Sequence, residues 1–445
     1  HTGALAHAGA ADDAVFRHHG IIRGEDLDHM VDVATAFAYC RLPKGNRVAI
    51  ITGSGGSAVW MADILSAHGL ELPVLEDDIQ AKLMAMLPSY ASAQNPIDAT
   101  AQAIGEVGYA PMVELVRQST RIDTILLISS LANESRAKNL GEEMAPITAS
   151  CDKPILLSTY TTASANSIAA LAAAGIPCYT AMPSCARAIK ALVDYAAFQE
   201  RFARRSAAAP QAAAAQAEVA AALARADKVL TEVASKALLA QYGVKLPAEA
   251  LAASEDAAAA AAARIGGAVA LKVQSADILH KTEAGAVRLG VSGENAVREA
   301  YREVLARARQ AHPAARIDGV LVQAMAHRGH EMILGIHRDP DFGPLLMVGL
   351  GGIHVEVLKD VAFAPVPLDE TAALELVGQL RGAALLDGVR GDKPADKQAL
   401  AGLIAALSRF AADHADSVAE IDLNPVIVHA DGEGLTVVDA LIVKR

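Results

Sequence analysis

Ala268-Val269-Ala270-Leu271-Lys272-Val273 is an apolar, strand-like run broken by one lysine, and it decides how the second half of the chain is read. Far downstream stand Glu420-Ile421-Asp422-Leu423-Asn424-Pro425 and then Val437-Val438-Asp439-Ala440. A lysine on a buried strand suits a phosphate oxygen. Asn424 and Asp439 on neighbouring strands suit Mg2+, a hard cation that takes oxygen ligands and keeps phosphates in its shell. Alternation along a strand puts Glu420, Asp422 and Asn424 on one face. Taken without Lys272, the same residues read equally well as a solvated strand face with Asn424-Pro425 as a turn.

Around this set lie weaker signals. Asp277-Ile278-Leu279-His280-Lys281-Thr282-Glu283-Ala284-Gly285 follows the lysine strand. A glycine-ended loop there can fold over phosphates, with His280 as a nucleophile or as an ordinary hydrogen-bonding loop residue. Leu321-Val322-Gln323-Ala324-Met325 reads as a strand leaving a hinge, where the backbone at Gln323 and Met325 can pair with an adenine edge. Glu331, shortly after, suits ribose hydroxyls or a metal, or the solvated edge of a hairpin. Gly349-Leu350-Gly351-Gly352 ends an apolar strand, and Gly351 and Gly352 allow a ligand close to the backbone, or a bulge.

The first half has a different rhythm. Leu27, Met30, Val31, Ala34 and Phe37 recur at helical spacing over 26–42. Arg47-Val48-Ala49-Ile50-Ile51-Thr52 reads as a buried strand, followed by Gly53-Ser54-Gly55-Gly56-Ser57 and a helix over 58–68. Further strands are expected over 122–130, 154–159 and 176–179, with a helix from Ser184 to about Phe198. Strands alternating with helices predict a doubly wound parallel α/β sheet, with its site at the carboxyl ends of the strands. Gly55 and Gly56 open a helix whose free N–H groups suit an anion, though a tight strand-to-helix turn explains them as well. The alanine-rich stretch 203–226 reads as an interdomain linker with a helical second half. A second domain is expected from 227.

Composition narrows the class. The 445 residues suffice for about three domains. Hydrophobic residues at 53% support a packed core, and a net charge of −12 disfavours a general nucleic-acid binder. The four cysteines form neither a disulfide framework nor a zinc pattern, and read as packing residues in a reducing cytoplasm. No run is long and apolar enough to predict a membrane helix. The chain opens on His1-Thr2-Gly3-Ala4-Leu5-Ala6 rather than on Met, so it is expected to begin mid-protein. His1 among small residues suits a phosphoryl-carrying imidazole, but these six residues alone read more simply as a terminal loop.

As an ordered set these segments resemble the NDP-forming acyl-CoA synthetases, relatives of succinyl-CoA synthetase. His1 to Ala6 looks like the phosphohistidine loop, with leading helices to 46. Residues 47–202, with Asn95-Pro96-Ile97-Asp98, look like the flavodoxin-like CoA-ligase domain. Residues 227–445 look like an ATP-grasp domain, through Leu271-Lys272-Val273, Ile278-Leu279-His280-Lys281, Arg338-Asp339-Pro340-Asp341-Phe342-Gly343-Pro344, Gly349-Leu350-Gly351-Gly352 and Asp422-Leu423-Asn424-Pro425. The resemblance implies an ADP-forming ligase that makes acyl-CoA from a small carboxylic acid, CoA and ATP with Mg2+, through acyl phosphate. It implies His1 as the phosphorylated residue and His280 as a second phosphoryl carrier. It also implies Lys272 on phosphate, Asn424 and Asp439 on the metal with Asp422 beside them, and a homo-oligomer. The family's CoA-binding Rossmann domain is expected ahead of His1, outside this chain. The chain departs from the family at Gln323-Ala324-Met325, where Gln-Glu-Met is usual, at Gly285-Ala286-Val287, where Gly-Gly-Val is common, and at His354, where Phe is common. The alternative is a degenerate synthetase module with a regulatory role, fused to another domain such as an acetyltransferase.

Overall fold

Strands with no polar side fold only where both faces are covered. The computed structural model describes residues 8–207, 215–278, 281, 283–352, 359–389, 391 and 393–445. They fall into two units, His19–Ala209 and Pro210–Arg445 with His1–His18.

In the first unit β1 (Val48–Thr52), β2 (Ile97–Asp98), β3 (Thr124–Ser129), β4 (Ile155–Thr159) and β5 (Cys178–Tyr179) form one parallel sheet in the order β2-β1-β3-β4-β5. Ala49, Ile51, Ile125, Leu127, Ile155 and Leu157 pack on one face with Met112, Met144 and Leu171. Val48, Ile50, Leu126, Ile128 and Leu156 pack on the other with Met61, Leu65, Ile189 and Leu192. The sheet is therefore doubly wound, as its alternating elements predict, in the flavodoxin-like order.

Helix bounds differ from expectation in two places. The helix after β1 begins at Gly55 rather than Ala58, so the glycines make its first turn. A Cβ at Gly55 would lie 2.6 Å from Asp98 Oδ2. The glycine there answers close packing against the end of β2. The helix expected over 184–198 runs Met182–Ala207.

The second unit holds two antiparallel sheets. β6 (Glu249–Ala252), β7 (Val269–Gln274), β8 (Val287–Val291) and β9 (Gly319–Ala324) make the smaller one, ordered β6-β9-β7-β8. The helices Glu255–Ile265 and Glu294–Ala311 cover one of its faces, burying Val269, Leu271, Val273, Val320 and Val322. The chain then passes through 325–329 into the larger sheet. This comprises β10 (His330–Asp339), β11 (Gly343–Leu350), β12 (Val361–Pro365), β13 (Val418–Val428), β14 (Leu435–Val437) and β15 (Leu441–Lys444). The helices Ala215–Arg225, Glu232–Ala240, Glu370–Gly378 and Lys397–Asp413 pack on it.

Two segments are placed by contacts that sequence spacing did not disclose. The helix Ala8–His19 sets Ala14 against Ile333, Met347 and Phe363 of the larger sheet, and Ala11 and Val15 against Leu345. The leading segment 1–46 thus divides near His19. The expected linker 203–226 contributes Val219 and Leu223, both fully buried, to the core of the second unit. Ala222 and Ala226 pack against that core, while Ala217, Ala220, Ala221 and Ala224 are exposed. Among the described residues no helix is long and apolar enough to cross a membrane.

If Ala215–Arg225 is core, Leu223→Ala should lower the stability of the second unit by about 2–5 kcal/mol in urea melts. An exposed linker helix would show almost no change.

Candidate nucleotide site

The site begins at a helix start. Thr231 caps the helix Glu232–Ala240, its side chain accepting from Ala234 N–H, and Glu232 takes the first helical position. A carboxylate there suits the helix dipole. Lys236 stands one turn on, and both side chains are fully buried. Across from them, β7 sends Leu271 and Val273 into the core of the smaller sheet, so Ala270, Lys272 and Gln274 turn to the opposite face. On β9, Gln323 lies opposite Glu249 of β6 and Ala270 of β7.

These side chains converge on Glu232. Its Oε1 accepts from Lys236 Nζ at 2.8 Å and from Lys272 Nζ at 2.9 Å. Its Oε2 accepts from Lys281 Nζ at 3.0 Å and from Gln274 Nε2 at 3.4 Å. A second anchor is the backbone carbonyl of Val438, between β14 and β15. It accepts from Lys272 at 2.7 Å, Lys236 at 3.0 Å and Gln323 Nε2 at 3.1 Å. Glu249 Oε2 accepts from Lys236 at 2.9 Å and Gln323 at 3.0 Å. Lys281 also reaches both oxygens of Asp439 at 3.2 Å. The network ties β6, β7 and β9 of the smaller sheet to the helix and strand junction that pack with the larger one.

The charges set one another. Burial opposes ionisation of Glu232, but Lys272, Lys281 and Lys236 outweigh it and hold its carboxyl well below the usual range. Burial pulls the Lys272 ammonium down, against the support of Glu232 and Asp439. Lys281 is also opposed by burial, yet Asp439 and Glu232 carry it above its ordinary value. Lost hydration and the nearby Glu232 raise Asp439, against Lys281 and Lys272.

Lys272, Gln323 and Asp439 of the expected site are therefore gathered in one cluster. Gln323 takes part through its side chain. The backbone edge expected near it is partly closed, because Ala324 N–H donates to Ala248 O and Met325 N–H to Ala268 O. The Met325 side chain is exposed. On β13, Ile421 and Leu423 are buried while Glu420, Asp422 and Asn424 share the other face, with Asn424 exposed. Val438 N–H donates to Pro425 O at 3.0 Å, which sets the segment carrying Asp439 beside the one carrying Asn424.

Glu331 meets the glycine pair: Gly351 N–H donates to Glu331 O at 2.7 Å, and a Cβ on Gly352 would lie 3.1 Å from Glu331 Oε2. Gly55 and Gly56 lie in the first unit, in the opening turn of a helix whose Ser54 cap makes no side-chain capping bond. His1 and His280 lie outside the described residues. Sequence reasoning passed over Glu232, Lys236 and Glu249, and quoted Lys281 without a role. Local sequence offered no signal for Glu232 and Lys236, since a glutamate and a lysine one helical turn apart ordinarily mark a solvated face and only the packing of this helix buries them.

Residues 221–443 match the ATP-grasp domain family, and residues 48–175 match the Ligase-CoA domain family. The chain is 33% identical to an ADP-forming acetate–CoA ligase I of Archaeoglobus fulgidus, over 97% of this chain and 62% of that protein. It is 39% identical to the beta subunit of an ADP-forming acetate–CoA ligase II of Pyrococcus furiosus, over 50% of this chain and 94% of that subunit. The chain belongs to the NDP-forming acyl-CoA synthetases. Among solved structures, an acetyl-coenzyme A synthetase 1 of Ca. Korarchaeum cryptofilum in complex with coenzyme A is similar over 52% of this chain and 100% of that chain, at 37% identity and a TM-score of 0.49. This synthetase chain spans 62–63% of the length of the first full-length relatives it matches.

The oxygen donors of Asp439 and Asn424 fit Mg2+, which uses one or two carboxylates and completes its shell with phosphates and water. Among the described residues no group of three or more His, Cys, Asp or Glu forms a metal cage. A site finished by the nucleotide itself needs none.

Glu232 has its carboxyl lowered on folding, so its stabilisation is full above the ordinary Glu value of about 4.3 and is lost as pH falls toward the folded value. Glu232→Gln should cost about 3–5 kcal/mol near neutral pH. Its stability should also fall less than the wild type's as pH drops below about 4. Parallel pH–stability curves from denaturant melts would show that Glu232 is not the group being titrated.

Proposed function

We propose that this chain carries the nucleotide and phosphoryl-transfer parts of an ADP-forming acyl-CoA ligase. The observation that carries the reading is the triad of buried Lys236 and Lys272 with partly buried Lys281 on Glu232, beside the Asp439 carboxylate. Lys272, fixed by Glu232 and the Val438 carbonyl, would donate its remaining N–H to polyphosphate without reorganising when charge shifts, with the other two ammonium groups beside it. Magnesium, bound by Asp439 and Asn424, would neutralise phosphate charge; Asp422 stands on the same strand face as Asn424.

In the proposed sequence a histidine nitrogen attacks the γ-phosphorus of ATP. The bond from that phosphorus to the β,γ-bridging oxygen breaks and ADP leaves. A carboxylate oxygen of the acid then takes the phosphoryl group, giving acyl phosphate and restoring the imidazole. The CoA sulfur attacks the acyl carbon, inorganic phosphate leaves, and the thiol proton passes to solvent or to phosphate. His1 is the proposed carrier toward the acid, and His280 the proposed ferry from ATP. Gly55 and Gly56 offer helix N–H groups to a transferred phosphate. Gln323 fixes the lysine cluster, while Met325 and Glu331 flank the connection where the base and ribose would lie. Gly351 and Gly352 keep the backbone open near the phosphates. Acetate is the acid named for the Archaeoglobus and Pyrococcus relatives; for this chain the reading extends to a small carboxylic acid. The CoA-binding part is proposed to come from another segment or subunit, as the relative with a separate beta subunit suggests.

Incubation with γ-labelled Mg-ATP should give a phosphoprotein labile in acid and stable in base, as phosphoimidazole is and phosphoserine is not. His1→Ala should abolish the label at that position and spare ATP binding. His280→Ala should keep label from reaching His1. Full labelling of His280→Ala would remove the ferry and leave direct transfer from ATP, whereas acid-stable label alone would contradict the phosphohistidine route.

A further inference from the structure

An ammonium has three N–H donors, and the three lysines of the cluster spend them differently. Lys236 is saturated by Glu232 Oε1, Glu249 Oε2 and the Val438 carbonyl. Lys272 has two acceptors among the described residues, Glu232 Oε1 and the Val438 carbonyl. One N–H is left for a phosphate oxygen. Lys281 is spent on Glu232 Oε2 and on both oxygens of Asp439.

Asp439 is thus claimed twice, by Lys281 and by the metal that its carboxylate fits. Magnesium binds oxygen at about 2.0–2.1 Å in a strict octahedron. A carboxylate that enters such a shell cannot keep an ammonium across both of its oxygens. Ala440 N–H holds Asp439 Oδ1 at 2.9 Å, so the carboxylate stays in place when the lysine leaves. The bond from Lys281 to Glu232 Oε2 is independent of Asp439 and keeps the ammonium on the same carboxylate that holds Lys272.

We propose that Lys281 is a metal-gated phosphate ligand. Held by Asp439 in the absence of metal, it is released when that carboxylate coordinates magnesium, and it then donates to the nucleotide phosphate beside Lys272. The proposal rests on the nucleotide reading above and adds a regulation to it: the metal recruits a protein cation as well as contributing its own charge. Metal and nucleotide then bind with positive coupling, and by linkage each raises the affinity of the other equally.

The test is calorimetric titration of the 445-residue chain with ADP, once in EDTA and once with saturating Mg2+. It compares the wild type, Asp439→Asn, Lys281→Gln and the double variant, each checked for a native melting curve. In EDTA, Asp439→Asn should bind ADP about tenfold tighter than the wild type, the scale of one added charge-assisted hydrogen bond. Most of its gain from magnesium should vanish. Lys281→Gln should lose part of the magnesium gain, whatever its affinity in EDTA.

The double variant separates gating from simple relief of repulsion. Adding Lys281→Gln should cancel the tighter metal-free binding of Asp439→Asn. If that gain persists without Lys281, or never appears, the gate is overturned while the nucleotide site stands. If the wild type binds ADP in neither condition, the nucleotide reading falls and the gate with it.

Discussion

A single carboxylate, Glu232, ties the smaller sheet of the second unit to the helix and loop around the candidate site. It is fully buried and accepts from three ammonium groups that would otherwise repel one another in a medium of low polarity. The charges close, with Lys236, Lys272 and Lys281 facing Glu232, Glu249 and Asp439. Such a cluster is costly to desolvate, and breaking it by removing one member costs far more than it gains as a whole. Its value here lies in position. The members of the cluster come from a helix start, three strands of one sheet, a loop and a junction on the other sheet, so Glu232 and the Val438 carbonyl together fix them in one place.

The Val438 carbonyl gives the same constraint a second fixed point. It takes three donors, including Lys272, while Val438 N–H is held by Pro425 O. The larger sheet therefore sets where the Lys272 ammonium points, although Lys272 itself belongs to the smaller one. Asp439, next along the chain, and Asn424, beside Pro425, inherit their place from that contact. The proposed phosphate lysine and the proposed metal oxygens are tied to one backbone junction, which holds Lys272 through the Val438 carbonyl and sets Asp439 beside Asn424.

Much of this was legible in the sequence where a local rule and the tertiary environment agree. The apolar runs of β1, β3 and β4 predicted a covered parallel sheet. The alternation of Ile421 and Leu423 with Glu420, Asp422 and Asn424 predicted the two faces of β13. Lys272 stood out because an apolar strand rarely holds a lysine without a purpose. Glu232 and Lys236 stayed hidden because a glutamate and a lysine one helical turn apart ordinarily mark a solvated face, and only long-range packing buries them. The core role of Val219 and Leu223 was masked by the alanines around them, which suit an exposed helix and a close-packed one equally. The attachment of Ala11, Ala14 and Val15 to the larger sheet is a contact across most of the chain length, beyond any spacing rule.

The central claim is that Lys272, held by Glu232 and the Val438 carbonyl, is the phosphate anchor of a Mg-ATP site. Titrating the chain with Mg-ATP by calorimetry, in wild-type and Lys272→Ala forms with matched melting behaviour, tests it most directly. The account predicts one binding event per chain, weakened at least about tenfold by the substitution. Equal affinity in the two proteins would contradict it.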